Sequence, residues 1–124
     1  MMWPMEAALH HAVTGLRASA KRLEVSSSNV ANARSENYAP GRVVQSSLAG
    51  GGTQAEAMPV NPPTVPSYEP GNPAANAEGV ARRPNVAFEG EVVEQMQAQR
   101  AYEANLRTIG TADRMTKSLL DILA

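Results

Sequence analysis

Three side chains near the start of the chain, Glu6, His10 and His11, are of types that bind metals or move protons. Glu6 and His10 stand four residues apart and share a helix face. Adjacent histidines, however, point about 100° apart on a helix and cannot converge on one ion without a further ligand. A metal site is therefore not expected. Ser26, Ser27 and Ser28 supply three hydroxyls without a neighbouring base or oxyanion motif; they read as small polar residues where helices crowd, not as nucleophiles. Met96 and Met115 read as adaptable core filler, not as cofactor ligands. No acid, base and nucleophile come together anywhere, so neither an enzyme nor a cofactor is expected.

Asparagine is the other residue type whose placement carries information. Asn29, Asn32 and Asn105 each have two readings: a solvated helix position or C-terminal cap, or a buried amide that fixes the register of packed helices, as single polar core positions do in coiled coils.

These residues sit on two apolar stripes at opposite ends of the chain. The first runs Leu9, Val13, Leu16, Ala20, Leu23, Ser27, Val30, and the second through Val92, Met96, Tyr102, Leu106, Ile109, Ala112, Met115, Leu119 and Ile122. Steps of three and four residues place each set on one helix face, which needs another helix to cover it. The simplest partner for each stripe is the other end of the same chain. Gly15 beside the first stripe is either a weak spot costing about 1 kcal/mol or a point of close approach for a second backbone, and Gly110 is a second small-residue point.

The chain divides into three by composition. Residues 1–33 read as one helix, opened by Pro4, which a first turn accepts. Residues 34–84 hold most of the prolines and glycines, including Gly50-Gly51-Gly52, and no helix survives that density of breakers. Short extended pieces are expected there at 42–48 and 64–68, able to pair as a short β-hairpin with the glycine run as a mobile tip, in which Gly51→Ser would be nearly silent. Residues 85–124 read as the second long helix, capped by Asn85 and with Glu89, Glu91 and Glu94 near the positive end of its dipole. The fold class is mainly α, the two helices pairing as an antiparallel coiled-coil-like hairpin around an irregular middle.

Only five of 124 residues are aromatic, and at a formal net charge of −1 and a pI near 6.1 there is no electrostatic footprint for nucleic acid. At about 25 cal/mol per Å² of apolar area, alanine-rich faces contribute little, so burial completed by neighbouring subunits is expected. There is no cysteine for a disulfide or thiolate site. The first residues carry no basic n-region before an apolar run, so a secretory signal peptide is not expected, and no stretch of about 20 apolar residues is available to span a bilayer.

Leu16-Arg17-Ala18 through Lys21-Arg22-Leu23-Glu24-Val25, followed by Ser28-Asn29-Val30-Ala31-Asn32-Ala33, resembles the N-terminal signature of bacterial flagellar rod, hook and hook-associated proteins. Tyr68-Glu69-Pro70-Gly71-Asn72-Pro73 through Gly79-Val80, then Pro84-Asn85-Val86, Glu91-Val92-Val93, Met96 and Arg100-Ala101-Tyr102-Glu103-Ala104-Asn105, is similar to the proximal-rod proteins within that group. Two departures stand out. Ser35-Glu36-Asn37-Tyr38 lacks the Thr and Gly of the usual T-x-G-Y turn, and Val80 follows Gly79 where tyrosine is common. The resemblance implies a structural subunit of the proximal rod, exported uncleaved and unfolded through the flagellar type III apparatus. In the periplasm it would polymerise with its own copies and other rod subunits into a torque-transmitting shaft. It implies paired terminal helices lining a channel, and favours the register-fixing role for Asn29 and Asn105. The alternatives are a generic helical-hairpin adaptor or another flagellar axial subunit.

Overall fold

Proline without an N–H donor costs nothing in a first helical turn, and α1 runs from Pro4 to Ala31 without another breaker. The computed structural model describes residues 4–124; residues 1–3, on which the reading of a missing basic leader partly rests, lie outside the described residues. Four strands follow, β1 (Gly41–Ser47), β2 (Thr53–Pro59), β3 (Thr64–Tyr68) and β4 (Val80–Pro84), and then α2 (Phe88–Leu123). The start of α2 differs from expectation. Ala87 occupies the N-cap position with no side-chain cap, while the Asn85 amide donates to the Pro62 carbonyl at 2.9 Å. Asn85 braces the loops before the helix instead of capping it.

The two helices pack against each other in opposite directions: Thr116 meets Met5, Asn105 lies over Gly15, Glu94 pairs with Arg22, and Glu91 reaches Ser26 and Asn29. The residues in this seam are small or polar. On α1 the sequence Ala12, Gly15, Ser19, Arg22, Ser26, Asn29 advances by three and four, and on α2 Glu91, Ala98, Asn105 and Ala112 recur every seven. A Cβ built on Gly15 would stand 2.6 Å from the Asn105 amide nitrogen, so this glycine is a point of close approach. Gly110 has only the Arg114 side chain near it, 4.0 Å away.

The middle forms two separate antiparallel hairpins. β1 pairs with β2 from Gly41↔Pro59 to Ser47↔Thr53, and β3 with β4 from Thr64↔Pro84 to Tyr68↔Val80. The expected pairing of 42–48 with 64–68 is thus replaced by two local ones. Gly51 and Gly52, both at positive φ, close the first hairpin within five residues, and a short loop is cheaper to close than one across the prolines at 59–66.

At the glycine tip of the first hairpin Gly50 is open to solvent, while Gly51 and Gly52 are packed. They lie on α1, where a Cβ on Gly51 would collide with the His11 ring and one on Gly52 would stand 2.6 Å from the Thr14 hydroxyl. Gly51→Ser is therefore disruptive. β1 and β2 both pack on α1, whereas β3 and β4 contact no other helix or strand among the described residues.

Candidate assembly surface

Asn29 joins three parts of the chain at the end of the helical seam. Its side chain is 2% exposed; the amide donates to the Gly41 carbonyl at 2.7 Å and the Glu91 carboxylate at 3.1 Å, and its oxygen accepts from Tyr38 Oη and the Gly41 N–H. α1, α2 and the first residue of β1 thereby share one amide. Nearby, Ser26 Oγ donates to the Glu91 carbonyl, and Arg22 Nε donates to Glu94 at 2.6 Å. That hydrogen bond pushes the Arg22 guanidinium further up from its ordinary value. Asn32 caps the helix end: its amide donates to the Ser28 carbonyl, and its oxygen accepts from Ser35 Oγ. The Asn105 amide donates to the Ala101 carbonyl while covering Gly15.

Tyr38 was legible as a family residue, but its bond to Asn29 was not. It depends on Asn37, whose φ of 65° is the left-handed turn normally assigned to glycine. Asparagine is among the few other residues that visit this region routinely. Glu91, Glu94 and Arg22 were also missed as partners, since nothing local distinguishes them from other surface charges.

The large apolar residues of the two stripes lie beside the seam, not in it. On α1 the seam is the expected stripe moved one residue toward the N-terminus, a rotation of about 100°: Ala12, Gly15, Ser19, Arg22, Ser26, Asn29 against Val13, Leu16, Ala20, Leu23, Ser27, Val30; on α2 Glu91 and Asn105 stand one residue before Val92 and Leu106, while Ala112 belongs to both stripe and seam. Small side chains admit a second backbone, and branched ones at the same positions would hold it off. Leu9, Leu16, Leu23 and Val30 are consequently half-buried and Val13 exposed; on α2, Val92, Tyr102 and Ile109 are half-buried while Met96 and Leu106 are 57% and 47% exposed. Met115, Leu119 and Ile122 are exposed near the free end of α2, the last two beyond the Met5–Thr116 contact. Met115 and Leu119 line an open apolar groove with Met5, Ala8 and Ala112.

No group of three or more His, Cys, Asp or Glu side chains converges on a common point among the described residues. The His10 and His11 rings are tilted with centroids 6.1 Å apart. The second hairpin carries its own charged cluster. Arg83 Nε and Nη2 donate to Glu69 at 2.7 and 2.5 Å, and the Asn72 amide and Ser67 hydroxyl donate to the same carboxylate. Chiefly through the Arg83 bonds, this holds the Glu69 carboxyl down at about 2.

The geometry is that of a packing surface, and comparison with known proteins assigns the context. Residues 9–38 match the flagella basal body rod protein family, and residues 77–122 match the C-terminal family of flagellar basal body rod FlgEFG proteins. The chain is 36% identical over 121 residues to the flagellar basal-body rod protein FlgC of Salmonella typhimurium, covering 88% of this chain and 90% of that one. It is 33% identical to the Agrobacterium fabrum protein of the same name, covering 98% and 97%, and 37% identical to that of Yersinia enterocolitica, covering 86% of each. The chain belongs to the FlgC family of flagellar basal-body rod proteins. It is a structural rod subunit, not an enzyme, and Asn29, Tyr38 and Asn105 lie within or beside the two matched segments. No helix among the described residues is long and apolar enough to cross a membrane.

Proposed function

We propose that the two stripes left outside the helical seam are the surfaces on which copies of this chain and other rod subunits pack. In this reading residues 1–33 and 85–124 form an antiparallel coiled-coil-like inner domain lining the rod channel, and residues 34–84 lie outside it. The three- and four-residue steps of the seam support that pairing. The observation that carries the reading is the exposure of Val13, Met96 and Leu106 on a subunit whose own seam is filled by alanine, glycine and serine. The surface area agrees: 8671 Å² is exposed by a 13.1 kDa chain, against about 6,400 Å² for a compact protein of that mass. Large apolar side chains left exposed together on such an open subunit mark sites of association. Contacts between different faces that do not close into a ring build an open helix, the form a shaft requires. Export through the flagellar type III apparatus to the periplasm completes the reading.

Val13→Asp and Met96→Asp test it. Both positions are exposed in the subunit, so each variant should keep the helix content of the parent and still reach the periplasm, yet leave basal bodies without complete rods and cells non-motile. Ala98→Leu, in the seam, should instead lower the helix content of the purified subunit. Normal swimming with complete rods in the Val13→Asp and Met96→Asp strains would overturn the assignment.

A further inference from the structure

The β3–β4 hairpin packs on neither helix and on neither strand of the first hairpin. Its own interior is well tied: Glu69 accepts from Arg83, Asn72 and Ser67, and Asn76 Oδ1 accepts from the Glu78 and Val80 N–H groups. Its base is braced by Asn85, whose backbone N–H donates to Pro63 O and whose side-chain amide donates to Pro62 O. Among the described residues, apart from the local bond of Val86 N–H to Pro84 O where the chain leaves the hairpin, one hydrogen bond connects residues 64–84 to the remainder of the protein. Arg83 Nη1 donates to the Arg34 carbonyl at 2.7 Å, in the turn that follows α1.

All three outer nitrogens of this one guanidinium are thus committed: Nε and Nη2 to Glu69, Nη1 to Arg34. The planar fork fixes the direction of the third donor once the first two are engaged. The carbonyl it reaches lies between the helix end capped by Asn32 and Tyr38, which is bonded to Asn29. The hairpin is thereby referenced to the same junction that holds α1, α2 and β1 together.

The geometry points to Arg83 as a positioning residue: pre-aimed by Glu69, it latches the β3–β4 hairpin, as a rigid arm, to the end of the helical pair. With the latch cut, the arm swings about the tethers at 60–63 and 85–87 while the helices stay paired. The inference concerns the subunit alone and stands whether or not the stripes of α1 and α2 are the assembly surface.

Because the chain has no cysteine, spin labels can be placed uniquely on Glu78→Cys in the arm and Gln99→Cys on α2, both exposed. Double electron–electron resonance on the full chain should show one narrow distance. Arg83→Gln should lose that single narrow distance, with circular dichroism and the thermal midpoint of the helices unchanged. Glu69→Gln, which leaves Arg83 in place but no longer aimed by a charge, should also broaden it. A distribution as narrow in Arg83→Gln as in the parent overturns the latch. So does loss of helix content in Arg83→Gln, because the arm would then be part of the helical body and not hung from it.

Discussion

The two hairpins are built from similar short antiparallel strands but are attached to the helices by different physics. β1–β2 is held by close contact: Gly51 and Gly52, both at positive φ, lie against His11 and Thr14, and the Thr53 N–H donates to Thr14 Oγ1 at 3.2 Å. β3–β4 packs on no other helix or strand among the described residues; it shares a cleft with Glu36 and Asn37 in the turn after α1 and is bonded to that turn by a guanidinium fork. Contact of the first kind is short-ranged and indifferent to charge, and a single extra carbon breaks it. Attachment of the second kind tolerates added bulk and fails when a charge is removed. One hairpin therefore belongs to the rigid body of the subunit, and the other is an arm whose orientation can be altered separately.

The sharpest way to break this contrast is Gly52→Val. A β-branched residue at a φ of +90° is strained by about 1–3 kcal/mol, and its Cβ must displace a Thr14 hydroxyl already engaged with His11 O and Thr53 N. We expect about 3 kcal/mol of stability lost in chemical denaturation, with early amide exchange at Thr53 and unchanged chemical shifts around Arg83. Disturbance spreading into β3–β4 would show that the hairpins are not independent.

Asn29→Ala is expected to cost somewhat less, about 2 kcal/mol, because it strands the half-buried Gly41 N–H and carbonyl, takes a hydrogen bond from the Glu91 carboxylate and leaves Tyr38 with Ser28 alone, without inserting bulk. Unlike Gly52→Val it should disturb both hairpins, since Gly41 begins the first and the 34–38 turn carries the second. Parallel chemical-shift changes in β1 and around Arg83, with a lowered thermal midpoint, are the expected result. A change confined to β1 would separate Tyr38 from the latch.

How much of this was legible in the sequence depended on whether the deciding interaction was local. The extents of α1 and α2 followed from proline and glycine placement, and the helices do pack in opposite directions. The packed face was displaced by one residue along α1 and at Glu91 and Asn105 of α2, though not at Ala112, because a hydrophobic pattern weights leucine and valine whereas backbone approach selects alanine, serine and glycine. Strand positions 42–48 and 64–68 were readable, but their partners were not. β2 carries a glutamate, and β4 two arginines, with too little alternation to announce a strand, and the choice between local and distant pairing rests on loop closure. Asn37 stands where the resemblance expected glycine, and it takes the positive φ that glycine favours. Glu69 stands in the sequence only as part of a motif; its partner Arg83 lies fourteen residues on, across a loop, and no local rule links them.

The smallest expected effect sharpens the comparison through pH. Glu69 ionises at about 2 in the folded protein against an ordinary value of 4.5, chiefly because Arg83 donates to it. A depressed carboxyl stabilises the state that holds it when pH is above its unfolded value, and that contribution is lost as pH falls through the folded value. The latch should therefore be intact at neutral pH, weaken below pH 4.5 and be released near pH 2. The charged group facing Glu69 is Arg83, which stays cationic throughout, and Glu36 adds to the field at Arg83. Among the described residues no side-chain carboxylate is hydrogen-bonded between β1–β2 and α1, so the Thr53 amide shift should change little between pH 4.5 and pH 2 while the Arg83 Nε–H resonance moves. Nuclear magnetic resonance titration checks this directly. Equal movement of the Thr53 and Arg83 signals over that interval would mean that both hairpins answer to charge, and the distinction between a packed hairpin and a latched one would fail.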